Sequence, residues 1–439
     1  MKTKKLFLIP LFFCLFISLF GNLFTVSAIN RKDIISLSIM IDKAVGFDDL
    51  AVKLKDLNFH NFTFVIWYNE AWNYILYNVT RRDILKEYGV LIPRLEYMQT
   101  FNPSERKGYV DAEFEAFHTY IGYYPKGFMD YIPDTYTVQY AHEKYNISFV
   151  QGYCFDQSNI DQMSMRGGWQ LPYYSDFNNL MKPSDNKGVV VFPHNIWDWS
   201  ESFYDTFHAN THILSLIDYA FPFQESQAKT YWLKLIDNSI TSMSPFGYVG
   251  VQWEWGWLTN LGYQNKVFEW FTTLLENPLY DFLTYENTTN WFNTTFETNP
   301  AYRVVFTSPF HDTKYEDKIE WYYDNLKRVA RYNGKVVSYV DYTISFNDKY
   351  RTSKQVIDWY GGQGDWNCID ISLYDNIKID ALGGGELRFA GIGKGQTYAG
   401  DLANFGMVIP PLLYWYQDPK VFGLIILGLC LGVWMIWKS

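Results

Sequence analysis

The chain has 439 residues, of which 48% are hydrophobic and 20% aromatic, with a formal net charge of −10 and a pI of about 5.3. That composition can fill a large buried core and excludes a disordered chain. The acidic balance comes without any basic cluster, which excludes a phosphate-binding face and with it a nucleic-acid partner.

The first 28 residues read "MKTKKLFLIPLFFCLFISLFGNLFTVSA". Lysines, an apolar run and then small residues follow in the order of a secretory signal, with cleavage expected after Ala28. From about residue 33 a short apolar, β-rich run alternates with a helical pattern. The runs are "IISLSIMID", "FTFVIWYNE", "GVLIPRLEY", "GFMDYIPD", "ISFVQGYCFD", "GVVVFPHNIWDW" and "YVGVQWEW". The helical patterns include "FDDLAVKLKDLNF", "RRDILKEY", "DAEFEAFHTYI" and "DTYTVQYAHEKY". Strands apolar along both faces and separated by helices predict a parallel sheet covered by helices. The α/β class follows, as a (β/α) barrel of seven or eight strands over residues 29–285. An open doubly wound sheet is the competing fold, but the first turn, "IMIDKAVGFDD", lacks the glycine-rich pattern of that class.

Between Pro278 and Pro300 the pattern breaks into Asn, Thr and Pro, read as an irregular connection. Beyond it lie "YRVVFTS", "KIEWYYD", "KRVARYN", "KVVSYVDYTIS", "KIDALG" and "GELRFAGI", divided by turn residues. They predict a small antiparallel β-sandwich over residues 300–405. Residues 406–419 contain two adjacent prolines and read as a stalk. Residues 420–438 hold the apolar run Val421–Trp437 between Lys420 and Lys438, expected to be a transmembrane helix. Together these features predict a cell-surface ectodomain on a single C-terminal anchor. Cys154 and Cys368 are the two ectodomain cysteines; a disulfide between them is open. Sequons at Asn61, Asn78, Asn146, Asn287 and Asn293 permit glycosylation.

A (β/α) barrel builds its active site at the carboxyl ends of its strands. Those ends carry Asp42, Glu70, Glu96, Asp130 with Asp134, Asp156, His194 with Asp198, and Glu254. Asp134 and Asp198 precede helical patterns and read as caps. In "YVGVQWEWGWL" a period of two puts Trp253, Trp255 and Trp257 on one face and Glu254 on the other. The indoles are expected to pack on helices and Glu254 to face the barrel mouth. An apolar surround raises a carboxyl pKa, which suits a general acid. The bland reading of Glu254 is an ion pair with an arginine inside the barrel.

Asp156 and Asp130 are the candidate partners, because two facing carboxylates are the machinery of glycoside hydrolysis. Glu96, His194, Trp197, Tyr68 and Tyr153 are candidate substrate contacts, the rings serving as platforms for sugar faces. His208 and His212 stand at i, i+4 and offer a metal site as the alternative. No cofactor motif is found: Lys394 in "GIGKGQT" is followed by Gly395 rather than Ser or Thr, so the phosphate-loop pattern fails.

The stretch "GFMDYIPDTYTVQYAHEKYNISFVQGYCFDQSNIDQMSMRGGWQLPYYSDFNNLMKP" resembles a domain of unknown function found in bacterial and archaeal proteins. That domain is related to the glycoside hydrolase/deacetylase (β/α) barrels. "KIEWYYDNLKRVARYNGKVVSYVDYT" resembles the β-rich domain that accompanies it. The resemblance spans residues of about 33–350 and implies the fold and domain order; it brings no catalytic residues with it. The H-x-x-x-H pair departs from the deacetylase pattern, since it falls after the sixth strand and His208 is followed by Ala209. The expected function is hydrolysis of an extracellular polysaccharide by a glycosidase-like site. The alternatives are a non-catalytic glycan-binding protein on the same barrel and a metal-dependent polysaccharide deacetylase.

Overall fold

A computed structural model describes residues 31–67, 70–95, 98, 101–130, 133–152, 171–177, 180, 183–193, 225–307, 318–323, 327–332, 335–341, 378–382 and 386–390. The elements below all belong to the unit that begins at Asp33. The chain opens with β1 (Asp33–Ile41), α1 (Phe47–Leu57), β2 (Phe62–Trp67), α2 (Glu70–Leu76), α3 (Val79–Tyr88), β3 (Gly89–Arg94) and α4 (Pro103–Ile121). There follow β4 (Gly127–Met129), α5 (Thr135–Tyr145), β5 (Phe149–Gly152), β6 (Tyr173–Tyr174), β7 (Val190–Pro193), α6 (Glu225–Ser242) and β8 (Met243–Ser244). Then come β9 (Gly247–Glu254), α7 (Trp255–Leu261), α8 (Gln264–Leu275), β10 (Asp281–Phe282) and α9 (Tyr285–Thr295). All seven predicted runs contain strands, and the four helical patterns coincide with α1, α3, α4 and α5.

Local chemistry marks several boundaries. The Asp134 carboxylate accepts from Thr137 N at 2.9 Å and starts α5, as its cap reading anticipated. Glu105 accepts from Asn102 N at 2.8 Å, and Pro103 stands in the first turn of α4. Asn58 and Asn146 end α1 and α5 at φ 49° and 55°, a left-handed backbone that asparagine tolerates.

Strands β9, β1, β2, β3, β4, β5 and β7 form one parallel sheet in that order. The short β10 runs beside the start of β1, and β6 lies antiparallel against β7. The sheet is curled. In a flat sheet β5 and β9, five places apart, would stand about 24 Å from each other. Instead, Gln151 Nε2 of β5 donates to Gln252 Oε1 of β9 at 3.0 Å and to Ser38 Oγ of β1 at 3.3 Å. The rings of Phe192 on β7 and Tyr248 on β9 are 5.5 Å apart, so the two ends of the parallel series approach one another. The result is a barrel-like α/β sheet, although β7 and β9 share no ladder among the described residues.

Side-chain alternation divides the two faces. On β1, Ile35, Leu37 and Ile39 turn outward, while Ser36, Ser38 and Met40 turn inward; all six are fully buried. On β9, Trp253 turns outward against Phe268 (ring centroids 6.2 Å) and Phe271 of α8. Trp255 opens α7 and meets Phe268 edge-on at 5.8 Å. These two indoles are walls, as expected; the side chain of Trp257 lies outside the described residues.

The reading of Pro278–Pro300 as an irregular connection is overturned, because α9 occupies residues 285–295. Thr284 caps it by accepting from Asn287 N at 3.1 Å. Tyr285, Thr288, Thr289 and Phe292 are all fully buried, an i, i+3, i+4, i+7 stripe in which two threonines stand in for aliphatic residues. Thr288 meets Ser36 of β1 at 3.1 Å, and Tyr285 N donates to Thr63 Oγ1 of β2 at 3.3 Å. Burial against the first turns of the strands therefore outweighs the weak helix propensity of Asn and Thr. The helix sits at the amino-terminal end of the curled sheet.

All six predicted C-terminal runs contain strands: β11 (Tyr302–Thr307), β12 (Lys318–Tyr323), β13 (Lys327–Tyr332), β14 (Lys335–Asp341), β15 (Lys378–Leu382) and β16 (Glu386–Ala390). β14, β13, β12, β11 and β8 form an antiparallel sheet in that order, and β15–β16 form a hairpin. The contribution of β8 went unforeseen. It leaves α6 and pairs Met243 with Val304 and Ser244 with Arg303, which joins the second sheet to the first.

Candidate functional site at the carboxyl ends of the strands

The described strands end at Ile41, Trp67, Arg94, Met129, Gly152, Pro193 and Glu254. Parallel pairing puts those ends on one side, where inward-facing polar groups converge. Glu254 is the last residue of β9 and pairs in register with Met40. It is half-buried, and it stands at the cap position of α7 without making a side-chain capping bond. Two bonds fix its place from the β1–α1 side. Gly256 N donates to Asp42 Oδ1 at 2.6 Å, and Trp255 Nε1 donates to Gly46 O at 3.0 Å.

Asp42 is 3% exposed. Burial pushes its carboxyl pKa above the ordinary value; the Gly256 amide and the charges of Lys43 and Arg94 offset part of this rise. From about pH 4 up to the raised folded value, the native carboxyl keeps a proton that the unfolded chain has released. Stability therefore falls as pH rises through that window, and is flat above it. Asp42→Asn keeps an oxygen for Gly256 N and removes the slope. Urea midpoints across the acid range should fall with pH in the wild type more steeply than in this variant.

Gly256 is required by proximity. A Cβ there would lie 2.9 Å from both Asp42 carboxylate oxygens and 2.6 Å from Lys43 Cβ. Gly256→Ala should lower stability by about 1–3 kcal/mol, read as a lower urea midpoint, and should displace Glu254 with α7.

Beneath the mouth lies Arg94, fully buried at the end of β3. Its guanidinium stacks 3.5 Å from the Trp67 ring centroid, and Nη1 lies 3.5 Å from Met40 Sδ. The Gln151–Gln252 bridge forms the layer below. Asp130, at the end of β4, is fully buried, and its Oδ2 accepts from Met98 N at 3.3 Å. Next to it the Arg106–Asp134 ion pair, 2.9 Å long, ties α4 to the start of α5.

Of the residues singled out from sequence, Glu254 and Asp130 are thus placed. Asp156, Glu96, His194, Trp197, Tyr68, Tyr153, His208 and His212 lie outside the described residues, as do Cys154, Cys368, residues 1–28 and residues 420–438. Among the described residues no helix is long and apolar enough to cross a membrane, and no group of three or more His, Cys, Asp or Glu could hold a metal ion. Sequence reasoning did not select Asp42 or Arg94. Asp42 was visible as a strand-end acid, and Arg94 as a basic residue inside the apolar run "GVLIPRLEY".

Residues 99–203 match DUF3863, a domain of unknown function with a solved structure. The match covers α4 through β7, the part of the sheet that carries Asp130 and Gln151. No curated protein matches the sequence. Among solved structures, the chain is similar to a provisionally assigned glycoside hydrolase/deacetylase from Parabacteroides distasonis. The TM-score is 0.58 at 14% identity, over 75% of this chain and 88% of that one. A provisionally assigned polysaccharide deacetylase from Mycobacterium smegmatis aligns over 64% of this chain and 95% of its own, with 10% identity and a TM-score of 0.40. Residues 99–203 thus resemble a domain of unknown function, and the fold of the chain is similar to that of the Parabacteroides protein.

Proposed function

We propose that this chain is a carbohydrate-active hydrolase of the glycosidase type, working outside the cell on a polysaccharide. In this reading residues 1–28 direct export, residues 300–405 form the accompanying β-sandwich, residues 406–419 are a stalk, and residues 420–438 anchor the chain in the membrane. The observation that supports the activity is the position of two acidic residues, Glu254 and Asp42, at the neighbouring carboxyl ends of β9 and β1. Glu254 pairs with Met40, and Asp42 directly follows Ile41, the last residue of β1. Strand spacing and rise put their Cα atoms roughly 8 Å apart. Paired carboxyls of glycosidases work at separations of about 5–10 Å.

Their environments differ, which suits a division of labour. Burial raises the Asp42 pKa, the direction that suits the group donating a proton to the leaving glycosidic oxygen. Glu254 is the more exposed and attacks the anomeric carbon or takes the proton of the attacking water. Asp156 is the further candidate partner from sequence. The fully buried Asp130, engaged with Met98 N, fits a supporting place better. The similar Parabacteroides fold supports a carbohydrate as the ligand class, by analogy alone.

A second reading rests on Asp42 at the end of the first strand, where metal-dependent deacetylases take an aspartate. It would require His208 and His212 to join that carboxylate. The test is to incubate the purified chain with defined acetylated and unacetylated polysaccharides, measuring new reducing ends and released acetate. New reducing ends support the glycosidase; acetate alone supports the deacetylase. Binding with neither product would make it a glycan-binding protein.

A further inference from the structure

Below the Gln151–Gln252 bridge the interior of the curled sheet contains polar atoms that the mouth chemistry does not use. Tyr248 of β9, Tyr285 of α9 and Gln151 of β5 are 1%, 0% and 0% exposed. Among the described residues the two phenol oxygens and Gln151 Oε1 make no well-aligned hydrogen bond. The Tyr285 hydroxyl faces Ser38, Tyr248 and Gln151, and that of Tyr248 faces Ser36 and Tyr285. The neighbouring groups are already engaged. Ser36 Oγ pairs with Thr288 Oγ1 at 3.1 Å, Ser38 Oγ donates to Val251 O at 3.3 Å, and Gln151 Nε2 serves Ser38 and Gln252.

Barrel interiors are ordinarily filled by bulky branched residues. Here the central layer is small: Ser36 pairs with Gly250, and Ser38 with Gln252 and Thr63. Phe149 and Phe192 wall the layer, with ring centroids 6.2 and 5.1 Å from that of Tyr285. Buried polar atoms in such a place are ordinarily satisfied by ordered water, which needs two to four polar partners.

We infer that the interior of the curled sheet binds water at a site shared by the Tyr248 and Tyr285 hydroxyls and Gln151 Oε1. A water molecule fits the donor and acceptor count, donating to the amide oxygen and exchanging bonds with the two hydroxyls. An ion fits poorly, because these three groups are neutral. Both phenols are held in the protonated form by burial. The site lies directly beneath the bridge that supports the Glu254 strand, and it does not depend on what that strand catalyses.

The test is a high-resolution crystal structure of the wild-type chain, together with thermal unfolding of Tyr285→Phe and Tyr248→Phe. The inference predicts solvent density within about 2.6–3.2 Å of the three atoms. It also predicts that each variant melts lower than the wild type, by roughly 2 °C or more, because the water loses a partner. Two results would overturn it: hydroxyls bonded directly to protein with no density between them, or a higher Tm in both variants. The second result would mean that the phenol oxygens are simply unsatisfied, so that removing one relieves a burial penalty.

Discussion

Phe292→Ala is expected to destabilise the protein by about 3–5 kcal/mol, among the largest effects of any single substitution in the chain. Phe292 is fully buried and meets Tyr174 of β6 at 4.8 Å, Phe296 at 5.0 Å and Phe246 at 6.1 Å between ring centroids. Truncation would leave a cavity where α9, β6 and the turn before β9 come together, with rings on several sides that cannot all collapse into it. The exposed Asn290 on the same helix is the control. Asn290→Ala should change stability by no more than about 0.5 kcal/mol. Urea unfolding of the two variants separates a helix that is part of the core from a surface connection, for which both effects would be small.

Glu254→Gln is expected to lower turnover of the cognate glycan by about 100- to 10,000-fold, the range attributed to a positioned acid or base. Its cost in stability should be under about 1 kcal/mol. The residue is half-buried, and its backbone is fixed by bonds that the substitution leaves alone, Gly256 N to Asp42 and Trp255 Nε1 to Gly46 O. Loss of activity with the unfolding midpoint retained separates chemistry from folding. A parallel loss of both would make Glu254 a structural residue of the β9–α7 junction.

Much of the architecture could be read from the residues, and the reasons are particular. Apolar runs such as "IISLSIMID" are buried on both faces, so β1 to β5, β7 and β9 announce themselves without an alternating pattern. Asp134 before "TYTVQY" was legible as a cap because only a short side-chain bond to the next turn is involved. The helix α9 was missed because its buried stripe uses Thr288 and Thr289, which resemble loop residues until a hydrophobic neighbour is known. Strand β8 was missed because two residues carry no periodicity at all.

The site was partly legible for a similar reason. Position at a strand end is encoded locally, and it identified Glu254. The role of Asp42 depends on Gly256, 214 residues away in sequence, and that of Gln151 on Gln252, 101 residues away. Such pairings arise only when the sheet curls. Arg94 illustrates the same limit: an arginine within an apolar strand becomes interpretable once Trp67 is known to lie beneath it.

The most direct test of the proposed site is a crystal structure of the Glu254→Gln protein soaked with the oligosaccharide that the wild type turns over. A sugar ring is expected at the carboxyl ends of β1 and β9, with its reacting oxygen within about 2.6–3.2 Å of residue 254 or of Asp42. A sugar bound elsewhere, with both residues beyond reach of it, would contradict the account.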